Sequence, residues 1–231
     1  MIIVLNNKSN LSKEEFLKYQ EELNKVNSQY DIVLCPTFLN INLCNLSKIK
    51  LGSQNISAYD DGAYTGEISA KSLKTSGVNY SIIGHSERRQ YQKETNKDIN
   101  EKIKKSLDNN IIPILCIGET KEERQNNRVE EILKKELIDA VKDLNQEDIK
   151  KIVIAYEPIW SIGTGLIPTN LEIEKVNKYI KKLFPNNKIL YGGSANEENI
   201  DILKKCDSID GYLLGGLSLH PDKLQNFIDK L

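Results

Sequence analysis

Short apolar runs alternate with longer amphipathic segments along the chain. The apolar runs cover residues 2–5, 32–35, 49–54, 80–84, 111–118, 151–157, 188–193 and 211–216. Most are continuously apolar rather than alternating, a pattern typical of strands that are buried on both faces. We therefore predict eight strands in a parallel sheet.

The segments between the runs predict helices. Polar and apolar residues recur at helical spacing in 12–26, 95–110, 128–144, 171–184 and 221–231. Ser12 followed by Glu15 forms a capping box, and Pro221 suits the first turn of a helix.

Strands that alternate with helices predict an α/β fold with crossover helices. The alternation of strands and helices fits both a closed (β/α)₈ barrel and an open doubly wound sheet. Eight evenly spaced units without a GxGxxG motif after the first strand favour the barrel. No linker interrupts the 231 residues, so we predict one barrel domain over residues 1–231.

Composition narrows the class of protein. The net charge is −1 and the lysines are scattered, so we expect no nucleic-acid partner. No segment approaches the roughly 20 apolar residues of a membrane span, and the run after Met1 is too short for a secretory signal. The cysteines show no metal-binding or disulfide spacing; they are Cys35, Cys44, Cys116 and Cys206. We expect a soluble cytoplasmic protein with reduced thiols.

Candidate functional residues follow the predicted strands, at the end of a barrel where active sites lie. Asn6 and Lys8 follow the first strand, His85 the fourth and Glu157 the sixth. Glycine-rich turns follow at 163–165, 192–193 and 215–216.

This combination indicates proton transfer beside a carbonyl group on a small phosphorylated molecule. Glycine turns expose backbone N–H groups that bind phosphate, and a carboxylate that loses its water becomes a stronger base. Structural alternatives exist: Glu157 could cap a helix, His85 could pack at a strand end, and Lys8 could be solvated. Compatible groups at five strand ends favour a shared site.

Several motifs resemble those of the triosephosphate isomerase family, in the same order. AYEPIWSIGTG (155–165) resembles its base and lid segment, IIGHSERR (82–89) its histidine segment and NNK (6–8) its first strand end. Further matches are GAYTGEIS (62–69), CIGET (116–120), YGGS (191–194) and DGYLLGG (210–216). The resemblance covers nearly the whole chain and implies the closed TIM barrel.

The resemblance implies interconversion of dihydroxyacetone phosphate and glyceraldehyde 3-phosphate, in glycolysis and gluconeogenesis. Glu157 would be the base that moves a proton between two carbons. His85 would act as a neutral acid, since the positive end of a helical turn disfavours the imidazolium. Lys8 would stabilise the enediolate oxygen beside Asn6, and Glu87 would hold Lys8 in place.

A phosphate site and a lid are also implied. Backbone N–H groups would hold the phosphate, at Gly163, Ser194, Gly215 and Gly216. The lid would comprise Pro158, Ile159, Trp160, Ser161, Ile162, Gly163, Thr164 and Gly165. Its closure would expel water from the intermediate, and Tyr191 and Ser194 would hydrogen-bond the closed lid. The family's chemistry implies neither a metal nor a cofactor.

Residues 54–69 resemble the family's long third loop, which inserts into a neighbouring subunit near that subunit's Asn6–Lys8 region. Thr65 would lie at its tip. A polar connection of this length is unusual within a compact domain unless it is functional. We therefore expect a two-fold homodimer. Arg88 and Glu94 are expected to belong to a structural ion-pair network.

Two positions depart from the family's pattern. Asn7 stands where the family often has tryptophan or another large residue, and Leu166 where a lysine is common. Neither removes a catalytic group.

Two other functions stay open. Another phosphate-binding barrel enzyme would share the late glycine turns but would lack Lys8, His85 and Glu157 at these positions. A binding protein that has lost turnover would keep the barrel, but loss of activity normally lets a catalytic residue change.

Overall fold

Eight parallel strands close into a barrel in sequence order. The computed structural model describes residues 1–231. The strands are β1 (Ile2–Asn6), β2 (Asp31–Cys35), β3 (Lys50–Ser53), β4 (Tyr80–Ile83), β5 (Ile112–Ile117), β6 (Val153–Tyr156), β7 (Ile189–Tyr191) and β8 (Gly211–Leu214). β8 pairs in parallel with β1, which closes the sheet. The predicted barrel is confirmed, and an open sheet is excluded.

Ten α-helices lie between the strands, and an eleventh follows β8. They are α1 (Lys13–Leu23), α2 (Phe38–Ile41), α3 (Ala70–Thr75), α4 (Ser86–Tyr91), α5 (Asn96–Asp108), α6 (Lys121–Gln125), α7 (Val129–Ala140), α8 (Gln146–Ile149), α9 (Asn170–Leu183), α10 (Ile200–Leu203) and α11 (Pro221–Asp229). The five predicted helices are α1, α5, α7, α9 and α11. Each begins within one residue of its prediction, whereas the six shorter helices are too brief for a periodic pattern to reveal.

The strands are buried on both faces, as their apolar runs predict. In β1, Ile2 and Val4 belong to a cluster formed by strand residues in the barrel interior. Ile3 and Leu5 belong to an outer cluster with helix residues such as Phe16 of α1. This alternation follows from the pleat of a strand, which turns successive side chains to opposite faces.

Side-chain caps fix where the main helices begin. The predicted capping box of Ser12 and Glu15 is present at the start of α1. Thr95, Thr120 and Thr169 form the same arrangement before α5, α6 and α9. None of the helices has both the length and the apolar character needed to cross a membrane.

Candidate active site

One cavity of about 230 Å³ brings the predicted site residues together. Asn6, Lys8, His85 and Glu157 line it, and so do four predicted phosphate-binding residues, Gly163, Ser194, Gly215 and Gly216. These residues are distant in sequence and meet because parallel strands end at the same edge of the barrel. Glu87 lies in an adjoining groove, and Tyr191 lies beneath the cavity, almost fully buried.

Glu157 directly follows β6 and is only 2% exposed. One of its carboxylate oxygens lies 3.2 Å from Nε2 of His85, and the other accepts the backbone N–H of Ser86 at 3.2 Å. Glycines make room for it. A Cβ on Gly192 would lie 2.8 Å from Cγ of Glu157, and one on Gly118 would collide with the Glu157 carbonyl.

His85 caps the first turn of α4. Its Nδ1 accepts the backbone N–H of Glu87 at 3.2 Å. A ring nitrogen that accepts a hydrogen bond carries no proton, so a neutral ring carries its proton on Nε2. That N–H then donates toward the Glu157 carboxylate.

Lys8 adopts a left-handed backbone conformation, with φ of 53°. Non-glycine residues adopt this conformation mainly where their surroundings enforce it. The side chain of Asn6 accepts the Lys8 N–H at 3.0 Å, and Gln54 donates to the Lys8 carbonyl at 2.8 Å. Nζ of Lys8 forms an ion pair with Glu87 at 2.6 Å, as expected. These contacts hold the ammonium group at the cavity, beside Gly215.

Glu119 anchors the first half of the lid, a role that its place in the sequence does not predict. Its fully buried carboxylate accepts the indole N–H of Trp160 at 3.0 Å and the hydroxyl of Tyr156 at 3.1 Å. Burial raises the pKa of Tyr156 well above its usual value, so the hydroxyl keeps its proton and donates. Arg124 balances the charge, with Nη1 at 2.8 Å from Glu119.

Ser161, in the middle of the lid, contacts the turn after β7. The hydroxyl of Ser194 donates to the Ser161 carbonyl at 2.6 Å, and the Tyr191 hydroxyl lies 3.4 Å from Oγ of Ser161. Both residues therefore contact the lid segment in this structure. Gly163 and Gly165 have φ of 69° and 77°, a conformation that favours glycine.

A partly buried ion pair lies beneath the cavity, and no motif in the sequence predicts it. Nε of Arg89 donates to the carbonyl of Gly84, the residue before His85, at 2.9 Å. Its Nη1 lies 3.3 Å from Glu136 of α7, which accepts the Gly118 N–H at 3.0 Å. Burial raises the pKa of Glu136 to about 7, although Arg89 and the Gly118 N–H oppose the shift. No local motif marks Glu136, which lies on an ordinary amphipathic helix.

Arg88 and Glu94 form the expected ion-pair network. Nε of Arg88 lies 2.6 Å from Glu94, and Nζ of Lys102 lies 2.7 Å from the same carboxylate oxygen. No group of three or more His, Cys, Asp or Glu side chains is arranged to hold a metal ion.

A buried carboxylate, an imidazole and an ammonium group around a small polar cavity at the strand ends define an acid–base enzyme of the (β/α)₈ barrel class. The profile of the triosephosphate isomerase family matches residues 1–231. The chain belongs to the triosephosphate isomerase family, so it is an isomerase, and the resemblance drawn from its motifs is confirmed.

Relatives named triosephosphate isomerase support this membership. The chain is 44% identical to the protein from Mesomycoplasma hyorhinis over 216 residues, which are 92% of this chain and 86% of the relative. It is 41% identical to that of Dictyoglomus thermophilum, over 93% of this chain and 92% of the relative. A Clostridium botulinum relative (strain Langeland) is 40% identical over 99% of this chain and 98% of its own length.

Proposed function

We propose that the protein interconverts dihydroxyacetone phosphate and D-glyceraldehyde 3-phosphate by proton transfer through an enediolate. The observation that carries this proposal is the single cavity lined by Lys8, His85 and Glu157 together with glycine-rich turns. Family membership supports triose phosphates as the substrates. Roles in glycolysis and gluconeogenesis and a cytoplasmic location stay predictions.

Glu157 is the base in this proposal. It removes a proton from one substrate carbon and returns a proton to the neighbouring carbon. Its near-complete burial supports this role, because a carboxylate without water is a stronger base. Bound substrate replaces the direct contact between Glu157 and His85, so that both groups face the reacting atoms.

His85 and Lys8 stabilise the charge that develops on the substrate oxygens. The Nε2–H of His85 donates to these oxygens, and Lys8 supplies a positive charge that is already positioned by Glu87 and Asn6. Charged groups fixed before the reaction need no rearrangement as the enediolate forms. None of these steps requires a group other than the chain's own side chains.

The phosphate is bound by backbone N–H groups of Gly163, Ser194, Gly215 and Gly216, which line the same cavity. Gly163 belongs to the lid, so phosphate binding connects the lid to the barrel. The lid then shields the enediolate from water.

Isomerisation of glyceraldehyde 3-phosphate, followed through a coupled dehydrogenase with chelator present, tests this function. Wild type and Glu157→Gln are compared at equal concentration. We expect turnover in the wild type and a kcat about 10³-fold lower in the variant, with an unchanged circular dichroism spectrum. Near-normal kcat in Glu157→Gln would refute the assignment of the base.

We also infer that residues 1–231 form one domain and that two copies form a homodimer. Residues 59–67, around Thr65, are exposed, and the rings of Tyr59 and Tyr64 stack with centroids 4.2 Å apart. The backbone N–H of Ser57 donates to the Ile68 carbonyl at 3.0 Å. The base of this loop is therefore closed, and its tip projects. An exposed aromatic loop tip supports a role in contact with another chain.

A groove beside Lys8 is the proposed receptor for the partner's loop. Its lining includes Phe38, Glu87 and Tyr91 as well as Asn6 and Lys8. Tyr91 is 68% exposed, and Leu39, next to Phe38, is 90% exposed. Large exposed apolar side chains beside a groove are typical of a protein interface.

Thr65→Glu tests the dimer because it places a charge at the tip of the loop. We expect the mass measured by light scattering at low micromolar concentration to fall toward that of one chain. Asn226→Glu, a change at a residue of α11 that is also exposed, serves as the control and should keep the dimer mass. A Thr65→Glu protein with the wild-type mass would count against this interface.

A further inference from the structure

The hydroxyl of Ser161, within the lid, has a full set of hydrogen-bond partners. A serine hydroxyl donates one hydrogen bond and accepts two. Ser161 donates to the Leu166 carbonyl. It therefore accepts from the Tyr191 hydroxyl at 3.4 Å and from the Ser194 N–H at 3.3 Å. One buried oxygen thus joins the lid to the turn after β7.

The turn is shaped to admit this hydroxyl. A Cβ on Gly193 would lie 2.9 Å from Oγ of Ser161 and would collide with the Tyr191 hydroxyl. Ser161 is fully buried, and its own carbonyl accepts the Ser194 hydroxyl at 2.6 Å. The contact therefore depends on glycine at position 193, because any larger residue there would press against the Ser161 hydroxyl.

Two acceptors compete for the Ser194 N–H: the substrate phosphate and the Ser161 hydroxyl. It is one of the N–H groups proposed to bind the substrate phosphate, and here it donates to Ser161. A backbone N–H carries a single hydrogen, so full donation to a phosphate oxygen requires that the Ser161 hydroxyl withdraw.

We propose that Ser161 is a positioning residue that competes with the substrate phosphate for the Ser194 N–H and so holds the lid until phosphate binds. This inference rests on the proposed function. Phosphate binding breaks the contact between Ser161 and Ser194, which frees the lid segment 161–166 to rearrange over the substrate.

Ser161→Ala removes the competitor and leaves a side chain that fits the same space. The unliganded state then loses the hydrogen bonds that Ser161 makes to Leu166, Tyr191 and Ser194, and only the bond to Ser194 competes with phosphate. In the phosphate-bound state the Ser194 N–H already donates to phosphate, so that bond is not lost. We expect the Kd for inorganic phosphate to fall about threefold to tenfold, the range of one neutral hydrogen bond. The KM for triose phosphate should fall with it.

Fluorescence of Trp160 provides the measurement, because it is the only tryptophan and lies in the lid. Inorganic phosphate is titrated into wild type, Ser161→Ala, Tyr191→Phe and the double variant. If the two hydroxyls act through one contact, the effects of the single changes will not add in the double variant. Ser208→Ala is the control. Ser208 lies before the start of β8, and its hydroxyl accepts a hydrogen bond from Asn177 rather than from the lid or the turn after β7.

The outcomes separate this inference from the proposed function. An unchanged or higher Kd in Ser161→Ala overturns the competition even if wild type isomerises triose phosphate. Additive effects of Ser161→Ala and Tyr191→Phe also overturn it. A lower Kd in a protein that does not isomerise supports the competition and rejects the function. A wild type that does not bind phosphate overturns both.

Discussion

The two sides of the cavity are built in different ways. On the proton-transfer side, Lys8, His85 and Glu157 lie at strand ends. His85 and Glu157 accept backbone N–H groups at the start of α4, and the side chains of Asn6, Gln54 and Glu87 hold Lys8. On the lid side, residues 163–166 are exposed. Side-chain bonds at Trp160 and Ser161 fasten that side to the barrel.

This difference matches two physical requirements. Proton transfer needs groups held within a fraction of an ångström of their working positions, which strands and backbone bonds provide. A lid has to open, so its attachments must be few and exchangeable. We therefore expect changes on the proton-transfer side to lower kcat, and changes on the lid side to alter KM.

Lys8→Met should produce the largest effect of the three changes considered. It removes the positive charge but keeps a long side chain, and loss of one fixed charge-stabilising donor costs about 10²- to 10³-fold in kcat. Steady-state kinetics provide the measurement. Lys50→Met is the control, since Lys50 pairs with Asp31 at 2.8 Å at the amino-terminal ends of the strands. Equal kinetics for the two variants would remove Lys8 from the chemistry.

Glu136→Gln tests the ion pair with Arg89, which lies beneath the proton-transfer side, through the pH dependence of stability. The folded-state pKa of Glu136 is raised from 4.5 to about 7, so between these values the folded state binds more protons than the unfolded state. Wild-type stability should therefore fall as pH rises through this window, by about 3 kcal/mol at most. The variant lacks this contribution.

Urea unfolding of both proteins from pH 4.5 to 8 measures the effect. The free energy of unfolding of wild type relative to Glu136→Gln should decrease steadily as pH rises. A difference that stays constant over this range would show that Glu136 does not change its protonation there.

Trp160→Phe tests the lid side and should have the smallest effect. Phenylalanine keeps an aromatic ring but cannot donate to Glu119, which retains Tyr156 and Arg124. Loss of one hydrogen bond should raise KM about fivefold, with kcat within about twofold of wild type. A large fall in kcat with unchanged KM would break the distinction between the two sides.

The sequence predicts the barrel and the cavity because both depend on local patterns. Continuous apolar runs reveal the strands, and a functional residue directly after each run must reach the same edge of the barrel. Glu157 and His85 are found in this way. The ion pair of Arg89 with Glu136 is not, because it joins α4 to α7 and neither helix carries a local sign of the other.

The two departures from the family's pattern show what only side-chain positions reveal. Asn7 is buried and donates to the Ser218 hydroxyl at 3.2 Å, so hydrogen bonding occupies a place where the family often has a larger side chain. The Leu166 side chain is 60% exposed, and its carbonyl is the group that accepts Ser161. Because a backbone carbonyl makes this contact, the identity of residue 166 does not predict it.

Isomerisation in D₂O tests the central claim, proton transfer by Glu157, most directly. Glyceraldehyde 3-phosphate is converted by wild type and by Glu157→Gln, and nuclear magnetic resonance measures deuterium bound to carbon in the product. A proton held by a carboxylate exchanges with solvent, so we predict deuterium in the wild-type product and labelling at the uncatalysed rate in the variant. Turnover that never incorporates deuterium would indicate direct hydride transfer and would contradict the account.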